Sequence, residues 1–351
     1  MKLLMITRKI DRDDAVAGHS YLWAKSIARR IDRLYVICLG VGNIKGLPEN
    51  VEVHSTGKER GYPRVLRWWN FWRLSRKLVP VVDGVFCHQN PEYTIGVASM
   101  AKRYHKKIVS WYVHGSVTGK TRLMEKLSDV ILTANEKSFR MKSDKVKFVG
   151  HGIDTEMFCH GTKKNDNTFN IFTAGRISPT KHYETLIEAM NVLRASGRHN
   201  IVITIAGEPV MPADRTYLMS LKSIVLEAKF DASVIFLGAV PHHMIPQHLQ
   251  QSDIFVNLSG TGSVDKAVLE AMSCQIIPIT SNEAFENILP PRLLVHKNDP
   301  KSLATAILSI LDEDQYELSM LRKKLRDEVL QHHDLNNLVT RIIDEYGAAS
   351  R

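Results

Sequence analysis

Short apolar runs alternate along the chain with longer segments of helical periodicity. The first half carries "KLLMIT", "LYVICL", "VEVH", "GVFCH", "KIVSWYVH", "DVILTA" and "KVKFVGHG". The second half carries "FNIFTAG", "NIVITIAG", "SVIFLGA", "DIFVNLS", "IIPIT" and "RLLVH". Most of these runs are apolar throughout, which marks strands buried on both faces, as in parallel sheets covered by helices. The pattern predicts an α/β protein of two doubly wound domains. The polar stretch "HGTKKNDNTFN", residues 160–170, has no periodicity, and the alternation restarts after it. We therefore expect a first domain over 1–160, a second over 161–334, and a final helix over 335–351. Leu335, Leu338, Ile342, Ile343 and Tyr346 give that helix one apolar face, which is able to pack on either domain.

One predicted helix is unusual. "RVLRWWNFWRLSRK", residues 64–77, lies where a crossover helix must link "VEVH" to "GVFCH", and it mixes three tryptophans with Arg64, Arg67, Arg73, Arg76 and Lys77 and no acid. Helical spacing puts Val65, Trp68, Trp69 and Trp72 near one face. Either that face packs on the sheet, or the helix is interfacial, with tryptophans at lipid headgroup depth and arginines on anionic lipid.

Charge sharpens this alternative. The chain of 351 residues has a net charge of +10. Residues 1–160 hold 28 Lys+Arg against 15 Asp+Glu, whereas residues 161–351 hold 19 against 22. The first half is therefore the one suited to an anionic partner, and an anionic membrane surface is the expected one, since no nucleic-acid-binding motif accompanies the charge. The cysteines, Cys38, Cys87, Cys159 and Cys274, are scattered through mostly apolar runs without metal-ligand spacing, and read as buried thiols of a reducing compartment. The opening "MKLLMITRKIDRDD" reads as a first strand rather than a leader, and no apolar stretch approaches the roughly 18 residues of a bilayer span. A cytoplasmic protein, peripheral at the inner face of the membrane, is expected.

Two stretches of the second half carry candidate chemistry. In "GRISPTKHYETLIEAM", residues 175–190, Gly175 ends a strand, a short loop carries Arg176 and Lys181, and a helix begins. A loop at the carboxyl edge of a parallel strand before a helix N-terminus suits a phosphate, and the two cations add to it. In "DIFVNLSGTGSVDKAVLEAMSCQIIPIT", residues 253–280, a strand ends in a small flexible loop, and the next helix carries Glu270 on its second turn. A carboxylate there has two oxygens to accept the neighbouring hydroxyls of a ribose. Together the stretches describe a nucleoside-diphosphate site.

These residues resemble glycosyltransferase family 4. "GRISPTK" is similar to its G-R-x-x-x-x-K loop, "VLEAM" to the end of its E-x7-E motif, "GHGIDTEMF" to its crossover between domains, and "IFLGAV" to its VFLGxV motif. "TRKIDRDDAVAGHSYLWAKSIA" looks like its first strand, glycine loop and helix. The resemblance covers nearly the whole chain and implies the GT-B architecture, two Rossmann-like domains facing each other across a cleft. It further implies a retaining, metal-independent transfer from a nucleotide-diphosphate sugar to a glycan or lipid-linked acceptor, in cell-surface polysaccharide or glycoconjugate synthesis. No cofactor is implied beyond the donor. On the same ground Arg176 and Lys181 would hold the diphosphate, Glu270 the ribose and the backbone near Val240 the nucleobase. Gly18 would let the first loop approach the phosphates, and His114 would contact the transferred sugar.

One position departs from the family. The first glutamate of E-x7-E falls on Gly262. Asp265 is expected to supply the missing carboxylate, or the backbone N–H groups of "GTGSVD", including that of Ser263, to hold the sugar instead. The departure leaves open a catalytically degenerate sugar- or polymer-binding protein of the same fold. A dinucleotide-binding oxidoreductase is disfavoured, because neither first loop carries G-x-G-x-x-G.

Overall fold

The computed structural model describes residues 1–163, 167–260 and 262–347. Residues 164–166 of the expected domain boundary, Thr261 of the glycine-rich loop and the last four residues of the expected C-terminal helix lie outside the described residues. By packing, the chain divides into two units. One comprises Met1–Asp154, Pro241–His243 and the segment from His333 onward; the other comprises Thr155–Val240 and Met244–His332. The first division falls at Asp154/Thr155 rather than at residue 160.

The first unit holds seven strands: β1 (Lys2–Ile10), β2 (Arg33–Val41), β3 (Val51–Ser55), β4 (Gly84–His88), β5 (Lys107–Trp111), β6 (Val130–Thr133) and β7 (Val146–Phe148). They form one parallel sheet in the order β3-β2-β1-β4-β5-β6-β7. Four helices follow strands of this sheet: α1 (Gly18–Ala28), α2 (Arg64–Leu78), α3 (Pro91–Arg103) and α4 (Gly119–Leu127). Alternation inside β1 shows why its run is apolar throughout. Leu3 and Met5 join the core under α1, whereas Leu4 and Ile6 join the core under α2 and α3.

The last described helix returns to this unit. Its amphipathic face, Leu335, Leu338, Val339, Ile342 and Tyr346, is buried in the core that contains α1. The Tyr346 hydroxyl donates to the Val85 carbonyl at 2.8 Å, and a Cβ on Gly84 would stand 2.2 Å from the Tyr346 ring. Glycine at 84 therefore makes room for the aromatic anchor. The two crossings of the chain are stitched side by side, with the Ile153 N–H donating to the His333 carbonyl at 2.7 Å and the Leu335 N–H to the Ile153 carbonyl at 2.8 Å.

The second unit holds a five-stranded parallel sheet of order β10-β9-β8-β11-β12. Its strands are β8 (Phe169–Ala174), β9 (Ile201–Ala206), β10 (Val234–Gly238), β11 (Ile254–Asn257) and β12 (Ile277–Thr280). The intervening helices are α5 (Tyr183–Ala195), α6 (Pro212–Glu227), α7 (Ile245–Gln250) and α8 (Lys266–Ser273), followed by α9 (Pro300–Leu311), α10 (Gln315–His332) and the returning α11 (Leu335–Gly347). The expected strand "RLLVH" does not form; Leu294 makes only an isolated bridge to Thr280. Pro290 and Pro291, which start a 3-10 turn there, cannot donate to a ladder.

Of the two alternatives for the tryptophan-rich helix, burial of the Val65, Trp68, Trp69 and Trp72 face against the sheet does not occur. α2 buries Phe71, Ser75 and Leu78, while Trp68, Trp69 and Trp72 remain 43%, 55% and 50% exposed. Residues 71, 75 and 78 make a narrow stripe at i, i+4 and i+7, with half-buried Leu74 packed beside it. The guanidiniums of Arg73 and Arg76 lie 5.4 Å and 5.5 Å from the ring centroids of Trp69 and Trp72. The exposed stripe is thus a cation-decorated aromatic surface. Cys38, Cys87 and Cys274 are buried thiols, and burial pushes those of Cys38 and Cys87 up to about 12; Cys159 is only half-buried.

Candidate active site

In the second unit, β8 ends at a close approach of two glycines. Gly175 has φ 152° and Gly207, just past β9, has φ 154°. A Cβ on Gly207 would stand 1.8 Å from the Gly175 carbonyl oxygen, so a side chain there would displace the loop that carries Arg176. The loop then makes a 3-10 turn over Pro179–Lys181 and passes through His182, whose φ of 50° is left-handed, before α5 begins. A non-glycine residue in that region stores strain, and strain of this kind concentrates where a side chain must be aimed. Arg176 is exposed, and among the described residues no ion pair to it occurs.

Lys181 is aimed at the end of β11. Its Nζ lies 3.3 Å from Asp265 Oδ2 and 3.3 Å from Ser259 Oγ. Asp265 Oδ2 also accepts from Ser259 Oγ at 2.8 Å and from Asn257 Nδ2 at 3.0 Å. Its other oxygen accepts the Ala267 N–H at 3.2 Å and so caps α8. Burial alone would raise the Asp265 carboxyl, but Lys181 together with these donors outweighs it and holds the group below its usual range. Asp265 is thus an anchored anion at the base of the site, with its oxygens committed to protein donors. In this arrangement it is the counter-ion of Lys181 and not a free carboxylate for the sugar.

Gly262 explains its own departure from E-x7-E. Its φ is 67°, a left-handed conformation in which a glutamate would be strained. The loop is pinned from the other side, where buried Asn282 donates through Nδ2 to the Ser263 carbonyl at 2.7 Å. Glu270 sits on the second turn of α8 and is only 5% exposed. Val240 lies two residues beyond β10 and is buried. Arg176, Lys181, Val240, Gly262, Ser263, Asp265 and Glu270 therefore all belong to the second unit and follow its carboxyl strand edge. Asn257 and Ser259, which complete the Asp265 cluster, escaped the sequence reading because single polar residues in "VNLS" have no periodicity to mark them. Lys297 escaped it as well; its Nζ would lie 2.6 Å from a Cβ on Gly260, so this cation covers the glycine-rich loop.

The first unit carries the other two expected residues. Gly18 is not a mid-loop glycine but the first residue of α1, its N–H donating to the Asp14 carbonyl at 3.1 Å. A Cβ at this position would stand 2.6 Å from the Cβ of His242, so it has no room for a side chain. His114 follows β5 after two buried residues, exposed and edge-on to Tyr112 at 5.5 Å. Loss of water on the packed side of its ring lowers its pKa. At the end of neighbouring β4, Gln89 has φ 78° and its amide meets the His19 ring at 3.0 Å.

Residues 155–328, which begin where the second unit begins, match the sequence model of a family described as "Glycosyl transferases group 1". Over 330 residues the chain is 22% identical to the Escherichia coli UDP-Gal:alpha-D-GlcNAc-diphosphoundecaprenol alpha-1,3-galactosyltransferase, covering 88% of this chain and 81% of that protein. The Anabaena protein HepE, solved with UDP and glucose, superposes with a TM-score of 0.77 at 16% identity, over 100% of both chains. A glycosyltransferase from Rickettsia africae superposes with a TM-score of 0.77 at 14% identity, over 98% of this chain and 97% of that one. The fold is therefore that of the GT-B enzymes, two α/β units with parallel sheets. The second unit is thus similar to the group 1 glycosyltransferase domain, and these likenesses support a glycosyltransferase of that fold.

Proposed function

We propose that the protein transfers a sugar from a nucleotide-diphosphate donor to a lipid-linked acceptor, with retention of anomeric configuration and without a metal ion, in cell-surface glycoconjugate synthesis. The observation that carries this reading is the cluster at the carboxyl edge of the second sheet, where one loop carries exposed Arg176 and the anchored Lys181. Breaking the bond from sugar to diphosphate builds negative charge on the departing oxygen, and preorganised cations lower that barrier most when they need not reorganise. Lys181 meets this requirement because Asp265, Ser259 and the 3-10 turn hold it in place before any ligand arrives. Glu270 takes the ribose hydroxyls, the backbone near Val240 the base, and His114 the transferred sugar. Protein cations supply the charge that a metal would otherwise bring. The lipid-linked acceptor is supported by the printed specificity of the Escherichia coli relative and by the exposed tryptophan stripe of α2, which suits a headgroup layer. The same stripe supports a peripheral position at the inner membrane face.

Purified protein incubated with UDP- and GDP-sugars should release nucleoside diphosphate, and release should survive EDTA. Absence of release and of donor binding across the set would overturn the reading; complete, metal-reversible loss in EDTA would overturn the metal-independent step. Gly262 favours one second reading, a sugar-binding protein without turnover, because no carboxylate stands at its position and Asp265 is committed to Lys181. Tight donor binding with no release in the presence of any acceptor would select it.

A further inference from the structure

A cavity of about 270 Å³ opens in the first unit, and none of the donor-site residues named above lines it. It lies beside the carboxyl end of β2, at Leu39, between the N-terminal turns of α2 and α3. Strand order reverses at β1, which sits between β2 and β4, and the crevice outside such a reversal is where open α/β sheets bind ligands.

The lining divides by chemistry. Arg64 and Arg67 supply two guanidiniums, and Glu92 is the acid beside them. Glu92 is already taken, its carboxylate bonded to Lys120 at 2.8 Å. Among the described residues neither arginine has an ion pair, and Arg67 Nε is buried without a partner. Neither α2 nor α3 has a side-chain cap at its N-terminus, so their positive ends add to the arginines. The opposite wall is Leu39, Trp68, Phe71 and Tyr93, with Trp68 edge-on to Phe71 at 5.6 Å. Trp68 belongs both to this wall and to the exposed tryptophan stripe. A ligand that satisfies all of this carries phosphate at one end, to take two planar forks, and hydrocarbon at the other, leaving along the stripe toward lipid.

We infer that this cavity receives the diphosphate of the lipid-linked acceptor, with Arg64 and Arg67 on the phosphates and the lipid chain passing over Trp68. The assignment rests on the reading of the protein as a transferase with such an acceptor.

The test uses farnesyl diphosphate as probe in calorimetric titrations of the full chain, with farnesol, inorganic diphosphate, UDP, and vesicles of phosphatidylcholine with or without phosphatidylglycerol as further arms. Farnesyl diphosphate should bind more tightly than either farnesol or inorganic diphosphate. Arg67→Gln and Arg64→Gln should each weaken it about 10–100-fold, as loss of a charge-assisted bond does, and leave UDP affinity unchanged. Arg64 is exposed at the first turn of its helix, so its variant keeps the test available if Arg67→Gln does not fold. Equal affinity of wild type and both variants for the probe overturns the site. Inorganic diphosphate binding as tightly as farnesyl diphosphate removes the role of the apolar wall and overturns the lipid assignment. If the variants lose phosphatidylglycerol vesicles while the probe neither binds nor competes, the arginines serve bulk headgroups, which overturns the acceptor assignment. Probe binding without any UDP binding instead retains the cavity and rejects the donor reading above.

Discussion

Lys181→Met is the perturbation that tests the donor site most directly, because it abandons a carboxylate that the fold has committed. Lys181 and Asp265 lie 3.3 Å apart, with side chains only 20% and 16% accessible. At that distance the raw attraction is roughly 5 kcal/mol for an effective dielectric constant of about 20, and desolvation of the two charges offsets much of it. Removing one partner of a buried pair costs about 3–5 kcal/mol when the other is left unsatisfied. Asp265 would keep Ser259, Asn257 and the Ala267 N–H, so a loss of about 2–3 kcal/mol is expected, at or just under the lower end of that range. For a unit of this size the transition should fall by roughly 4–12 °C. Asp265→Asn in the same chain removes the abandoned charge, and the double variant should recover about 1 kcal/mol or more. The pH dependence has a definite sign. The folded Asp265 pKa is depressed, so its contribution is present above the ordinary carboxylate range near 3.9 and is lost as pH falls through the lower folded value. Urea unfolding of wild type, both singles and the double at neutral pH and below about pH 4 would read this. Equal stability of Lys181→Met and wild type at neutral pH, or a deficit that persists undiminished in acid, would refute the pairing.

Arg176→Ala should lower turnover roughly 10²–10³-fold, as loss of one charge-stabilising donor does, with an unchanged melting temperature because the side chain is exposed; wild-type turnover would remove it from the site. Glu270→Gln should weaken UDP binding in equilibrium dialysis, and unaltered affinity would leave Glu270 a buried helix residue only. Trp69→Ala and Trp72→Ala should each cost under about 1 kcal/mol, far below the roughly 3–5 kcal/mol of a buried aromatic, yet reduce partition onto phosphatidylglycerol vesicles; core-like destabilisation would contradict their exposure. Desolvation lowers the His114 pKa, so its neutral form persists to lower pH than usual. The acid limb of kcat/KM should lie below about pH 6.5 and disappear in His114→Ala, and a His114-dependent limb at higher pH would contradict this.

The amino-acid sequence by itself determined the two parallel sheets, because strands buried on both faces need uninterrupted apolar centres, and Leu3–Ile6 of β1, Val85–Cys87 of β4 and Ile254–Val256 of β11 provide them. It also marked an Arg/Lys loop and a helical glutamate, both of which follow strand ends of the second unit, where local pattern is strong. It marked the apolar face of the last helix but not its destination; that was decided by Gly84, which leaves space for the Tyr346 ring. Hydrophobic spacing put Val65, Trp68, Trp69 and Trp72 on one side of α2 but left open whether that side packs, because a period of 3.6 shows which residues share a side and not how much of that side the sheet can cover. Phe71, Ser75 and Leu78 fill the narrow contact, and the tryptophans are left outside. Only tertiary structure decided the state of Asp265, whose partners Asn257, Ser259, Lys181 and Ala267 converge from two strand ends and a helix. The cavity at Arg67 has the same origin: its arginines and aromatic wall come from α2, α3 and β2, and their common task exists only once the sheet has brought those three elements to one edge.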